Sequence, residues 1–160
     1  MILAIDPGST ESGLTLINEI DLKPTLAIKL SNEEILKVII EAKEVNHVAI
    51  EMIASYGMPV GAEVFQTCVW IGRFIQILKD KGYLGPIKYI YRKDEKMNLC
   101  NSMKARDSNI IQALIDRFAP GTPNKGKGTK KDKGWFYGFK KDIWQSYAVG
   151  VTYHDLYMEE

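Results

Sequence analysis

Histidine and cysteine are scarce in this chain of 160 residues, with two of each. Cys68 and Cys100 lie far apart, outside any CxxC or Cys/His cluster, so neither a disulfide framework nor a zinc site is expected. No apolar run approaches the roughly 20 residues that span a bilayer. The first residues also lack a basic stretch ahead of an apolar one, so neither a membrane segment nor a signal peptide is expected. These absences imply a reducing cytoplasm. There is no overall excess of charge, since 21 Lys and Arg face 20 Asp and Glu for a net +1. The charge is nonetheless uneven. Gly121 to Lys141 holds seven lysines and one aspartate, a local +6 that leaves −5 for the remainder. A basic block in a neutral chain points to an anionic partner. The remaining composition, 46% hydrophobic and 26% charged, is that of one globular domain over 1–160.

The stretch Met1 to Ile17, MILAIDPGSTESGLTLI, carries the first signal. Met1 to Ile5 is a short apolar run, as in a strand buried on both faces. It stops at Asp6, where Pro7-Gly8-Ser9-Thr10 supplies turn chemistry, and Leu14 to Ile17 returns as a second apolar run. An acid at the open end of a central strand lies where α/β sheets hold ligands. An Asx-turn, with Asp6 bonding only its own turn, explains the same residue equally well.

Pro24 to Leu30 reads as a third strand closing a meander. Ser31 and Glu34 form a capping box for a helix that buries Ile35, Val38, Ile39 and Ala42. Val45 to Ile53 holds a fourth strand, interrupted by Glu51. A carboxylate inside an apolar strand needs an ion pair, solvent or a bound cation, and a structural salt bridge would suffice. After a loop containing Tyr56, a helix runs to about Lys81 with Val64, Phe65, Cys68, Ile71, Ile75 and Leu78 as its core stripe. Trp70, Arg73 and Phe74 fall off that stripe and suit a subunit interface. Gly72 costs about 1 kcal/mol relative to Ala in a helix interior, so close packing of another backbone is expected there. Pro86 to Tyr91 makes a fifth strand. Arg92 to Asn101 is polar, a short helix or loop, and the next helix carries Ile110, Ile111, Leu114, Ile115 and Phe118.

Gly121 to Gly138 mixes five glycines with Lys125, Lys127, Lys130, Lys131 and Lys133, and ends on Trp135, Phe136 and Tyr137. It reads as a flexible arm. Its lysines would neutralise phosphates and its aromatics would stack on unpaired bases; a merely solvated loop is the plain alternative. Lys104, Arg106 and Tyr56 join the nucleic-acid-binding candidates. The last helix starts near Lys140, with Asp142 in its first turn. Asp142 and Gln145 also fit a capping box, so a cap explains Asp142 as well as catalysis does.

The order β-β-β-α-β-α-β-α-α implies a mixed α/β sheet, its first half antiparallel. Such a sheet can set Asp6 beside Glu51 and bring Asp142 over the same end. Three carboxylates without His or Cys make an oxygen-only site suited to Mg²⁺, with Mn²⁺ as substitute. Two such ions would activate water and stabilise the leaving oxygen in phosphodiester hydrolysis.

Three blocks, ILAIDPGSTESGLTLI, HVAIEMI and KKDIWQSYAVGVTY, together resemble the RuvC family of Holliday junction resolvases. The GTKK stretch at Gly128 to Lys131 is similar to the phage-borne branch. The resemblance implies an RNase H-like, five-stranded mixed sheet with helices on both faces. It further implies a homodimer, Mg²⁺ dependence and paired nicks in branched DNA, meaning four-way junctions and also three-way or flap structures. Asp6, Glu51 and Asp142 match the family's metal-binding carboxylates. A further family Asp falls at Gln145, which cannot supply charge, and Asp132 is the reserve ligand. The family's junction-probing aromatic has no match at Ala54; Tyr56 is the nearest candidate. Two alternatives follow from this departure and this fold: a junction-binding protein with little nuclease activity, and an RNase H-like nuclease acting on RNA. DPGST also resembles the phosphate loop of sugar kinases and actin-like ATPases, but the chain has no room for their second domain.

Overall fold

The computed structural model describes residues 1–158. Strands β1 (Ile2–Asp6), β2 (Glu11–Ile17) and β3 (Pro24–Ser31) form the expected antiparallel meander. Helix α1 (Asn32–Glu41) then crosses to β4 (His47–Glu51), which pairs parallel with β1. Helix α2 (Ala62–Asp80) crosses to β5 (Ile87–Ile90), parallel with β4. Helices α3 (Arg92–Cys100), α4 (Asp107–Phe118) and α5 (Asp142–Tyr157) follow, and the strand order is β3-β2-β1-β4-β5. This is the mixed five-stranded sheet that the element order implies. The polar stretch after β5 is a helix because the Asp94 carboxylate accepts the Tyr91 N–H at 2.9 Å and caps its start. Asn101, at φ 53°, ends it in a left-handed turn.

Strand alternation divides the interior in two. Leu3, Ile5, Val48 and Ile50 face α1 and α2, packing on Ile35, Ile39, Ile71, Phe74 and Leu78. Ile2, Ala4 and Ala49 face the opposite way, onto Ile110, Leu114, Tyr147, Ala148 and Val151 of α4 and α5. Asp6 and Glu51 continue the second alternation. Both therefore belong to the face that α5 covers.

Three expectations need correction. On α2 the buried residues are Thr67, Ile71, Phe74 and Leu78, whereas Phe65 and Cys68 are exposed. Phe74 is therefore core and not interface, because the inward face is rotated from the stripe with most apolar residues. Gly72 has no neighbour within 4 Å of where a Cβ would stand. Close approach is permitted by glycines elsewhere, among them Gly150 of α5, where a Cβ would lie 3.0 Å from the Ala4 Cβ and nearer still to Ile17. The aromatics closing the basic segment are also not all available to bases. Phe136 is fully buried, and Trp135 stacks on Phe118 with centroids 5.3 Å apart while its indole N–H donates to the Tyr147 hydroxyl. Only Tyr137 of the three is exposed. These anchors close 121–141 onto α4 and α5, with Gly128 and Lys133 bridged across its tip. Among the described residues no helix is long and apolar enough to cross a membrane.

Candidate active site

The sheet changes from antiparallel to parallel pairing at β1, and the parallel strands β1, β4 and β5 open toward one end. Ligands of α/β sheets bind at such a switch point. One step beyond the paired Ile5 and Ile50, each strand ends on its carboxylate, Asp6 and Glu51. Arg92 stands two residues beyond Ile90, the partner of Glu51 on β5. Asp142, the first residue of α5, comes over the same end. Asp6, Glu51, Arg92, Asp107, Lys141, Asp142, Trp144 and Gln145, with Ile110 and Ile111, line one open cleft of about 440 Å³.

Gly13 explains why α5 starts where it does. It pairs with Asp6 in β2, and a Cβ on it would lie 2.5 Å from the Asp142 carbonyl oxygen. Only glycine lets the start of α5 lie against the sheet at this point. Lys141, the residue before Asp142, turns the chain with φ 44° and ψ −122°, a conformation that favours glycine.

The structure separates the local alternatives left open by the sequence. The turn after Asp6 is held by Ser12 and Asn32: the Gly8 N–H donates to the Ser12 hydroxyl, and the Asn32 amide donates to the Gly8 carbonyl. Asp142 and Gln145 do not form a capping box; Lys141 is the N-cap residue, and α5 has no side-chain cap bond. Asp142 instead pairs with Lys29 of β3 at 2.8 Å. The Gln145 amide donates to Glu51 Oε1 at 2.8 Å and also to Glu95 Oε1. Glu51 does have a cationic neighbour, with Arg92 3.9 Å away, but that guanidinium also faces Glu95 at 3.7 Å and pairs closely with Asp107.

Burial, and then the crowding of carboxylates, sets the electrostatics. Burial pushes the Asp6 carboxyl up to about 9, reinforced by the adjacent Glu51 and then Asp142, while Arg92 pulls weakly the other way. Burial and Glu51 likewise raise Glu95 well above the usual carboxylate range. Such repulsion favours a cation. The donors are hard oxygens, and among the described residues no donor reaches the buried Glu95 Oε2, so the set fits Mg²⁺ or Mn²⁺ chemically. As arranged, these oxygens face Lys29, Arg92 and Gln145, and among the described residues no three acidic, His or Cys side chains are gathered to hold a metal.

Asp6, Glu51, Asp142 and Gln145 thus share one cleft, without three of the acids being gathered into a ready metal site. Asp132 is exposed on the tip of the basic segment and does not line the cleft. Tyr56 is exposed in the loop that leaves Glu51 toward α2. Lys104, Arg106, Lys125, Lys130, Lys131 and Lys133 are exposed and Lys127 half-buried; none lines the cleft. Sequence reasoning missed Lys29, Arg92, Glu95 and Asp107. For Glu95 a signal existed, since Leu99 lies one turn later on the same helix face and packs against the core.

No protein-family model matches the sequence, and no curated protein matches it. Solved structures do match. RuvC of Thermus thermophilus in complex with Holliday junction substrate superimposes with a TM-score of 0.69 at 13% identity, covering 95% of this chain and 90% of that one. The Thermus thermophilus RuvC structure gives 0.66 at 14% identity, covering 95% and 91%. The chain therefore has the RNase H-like fold of RuvC.

Proposed function

We propose that this protein is a metal-dependent, structure-selective endonuclease that nicks Holliday junctions and related branched DNA. The observation that carries this reading is the convergence of Asp6, Glu51 and Asp142 on one cleft at the switch point of a RuvC-like sheet. Asp6, Glu51 and Asp142 would hold Mg²⁺ or Mn²⁺, two ions per site. When bound, such ions supply Lewis acidity to the attacking water and the leaving oxygen. Asp6 must give up its proton to serve as a ligand. Arg92 and Lys141, cationic at the cleft wall, suit the scissile phosphate. Gln145 fixes the Glu51 carboxylate through its amide. The lysines of 121–141 would neutralise flanking phosphates, and Tyr56 lies on the loop nearest the junction centre in this reading. Paired nicks need two sites, hence a homodimer; Phe65 and Val69, one turn apart on α2 and both exposed, offer an apolar strip for such pairing.

Asp6→Asn tests the reading. Cleavage should disappear while junction binding persists, and an unchanged cutting rate would remove the metal assignment. A binding protein with little nuclease activity is the second reading, favoured by Gln145 and by the Lys29 ion pair on Asp142.

A further inference from the structure

Glu95 is the one acidic residue of α3 that is fully buried. It does not itself line the cleft, but Gln145, which does, bridges it to Glu51. A structural role is a weak explanation. Arg92 makes its closest contact with Asp107, and its approach to Glu95 is only 3.7 Å, on Oε1. Among the described residues no donor reaches Oε2, and the carboxyl lies against that of Glu51. An acidic group buried against Glu51 costs stability, and a glutamine of the same shape would avoid that cost without loss of volume. The residue that bridges to Glu95 is Gln145, which occupies the position where the resemblance calls for a fourth acid.

We propose that Glu95 supplies, from α3, the fourth carboxylate of the metal centre that α5 lacks at Gln145. Gln145 then serves as a clamp. Its amide holds Glu95 and Glu51 side by side, two groups that would otherwise repel each other. The charge of the site is preserved while its origin moves from one helix to another. This inference rests on the proposed metal-dependent nuclease.

The test is Mn²⁺ binding, followed by electron paramagnetic resonance of free ion and by calorimetry, on the full chain without DNA. Four proteins are compared: the parent, Asp6→Asn, Glu95→Gln and the double variant Glu95→Gln/Gln145→Asp. Circular dichroism and thermal melts in EDTA confirm that each is folded. Glu95→Gln should weaken Mn²⁺ binding by about 10- to 100-fold or lose one equivalent, and Gln145→Asp in that background should restore it. Glu95→Gln binding Mn²⁺ like the parent would overturn the inference and leave the nuclease reading intact. So would a loss that Gln145→Asp fails to restore in a folded protein. A parent that binds no Mn²⁺, or binds it equally after Asp6→Asn, would instead remove the metal reading itself, and the inference with it.

Discussion

Lys29 Nζ stands 2.8 Å from Asp142 Oδ2, an ion pair that ties β3 to the first residue of α5. The lysine gains from the pair, since the Asp142 carboxylate raises its pKa. A divalent cation on Asp142 must compete with this ammonium. The pair is partly exposed, so its strength is that of a surface ion pair, roughly 0.2–1 kcal/mol. Lys29→Met should therefore tighten Mn²⁺ binding by up to about fivefold, measured by calorimetry. Unchanged or weaker binding would show that Lys29 does not compete with the ion.

Gly13 is the second point at which the sheet controls the site. Any side chain there meets the backbone of Asp142. Gly13→Ala should destabilise the chain by about 1–3 kcal/mol through overpacking and reduce cleavage more than junction binding, because the start of α5 moves. Urea unfolding and a cleavage assay under saturating junction separate the two effects. Full activity in the variant would mean that Asp142 need not lie where it does.

Stability without metal should depend on pH in a defined direction. The Asp6 carboxyl titrates near 3.8 when unfolded and at about 9 when folded. Between these values the folded chain holds the extra proton, so stability falls as pH rises from about 4 to about 9. The raised Glu95 acts in the same direction. Urea midpoints in EDTA should decline across this window, and Asp6→Asn should flatten the decline and raise the midpoint at neutral pH. Added Mg²⁺ should help most at the alkaline end, where its ligands are already charged. A flat or rising profile in EDTA would show that burial and the neighbouring carboxylates do not hold the Asp6 proton as the cleft implies.

The basic segment has a salt signature. Replacing Lys130 and Lys131 with Ala should weaken junction binding and make log K against log salt shallower, by about 1.8 if both meet phosphates. An identical slope would leave these lysines as solvated surface.

The strand-end acids were legible because strands alternate: Asp6 follows Ala4, and Glu51 follows Ala49, on one face of the sheet. The meander, the crossovers and the last helix followed from apolar runs and turn residues. The face of α2 did not, because that helix carries exposed apolar residues such as Phe65 and Val69, which blur its period. The anchoring of Trp135 and Phe136 was hidden by the lysines and glycines around them, whose composition suggests a free arm. Arg92 and Glu95 were missed for a related reason. A polar helix shows little periodicity, so Leu99 one turn on was the one cue, and packing of α3 against α4 and α5 turns Glu95 inward.

The most direct measurement is cleavage of an end-labelled synthetic four-way junction beside a linear duplex of the same arms, in Mg²⁺ and in EDTA. Paired nicks on the junction, dependent on Mg²⁺ and absent from the duplex, are the expected result. Tight junction binding with no product in either Mg²⁺ or Mn²⁺ would contradict the nuclease reading and leave a binding protein on a nuclease fold.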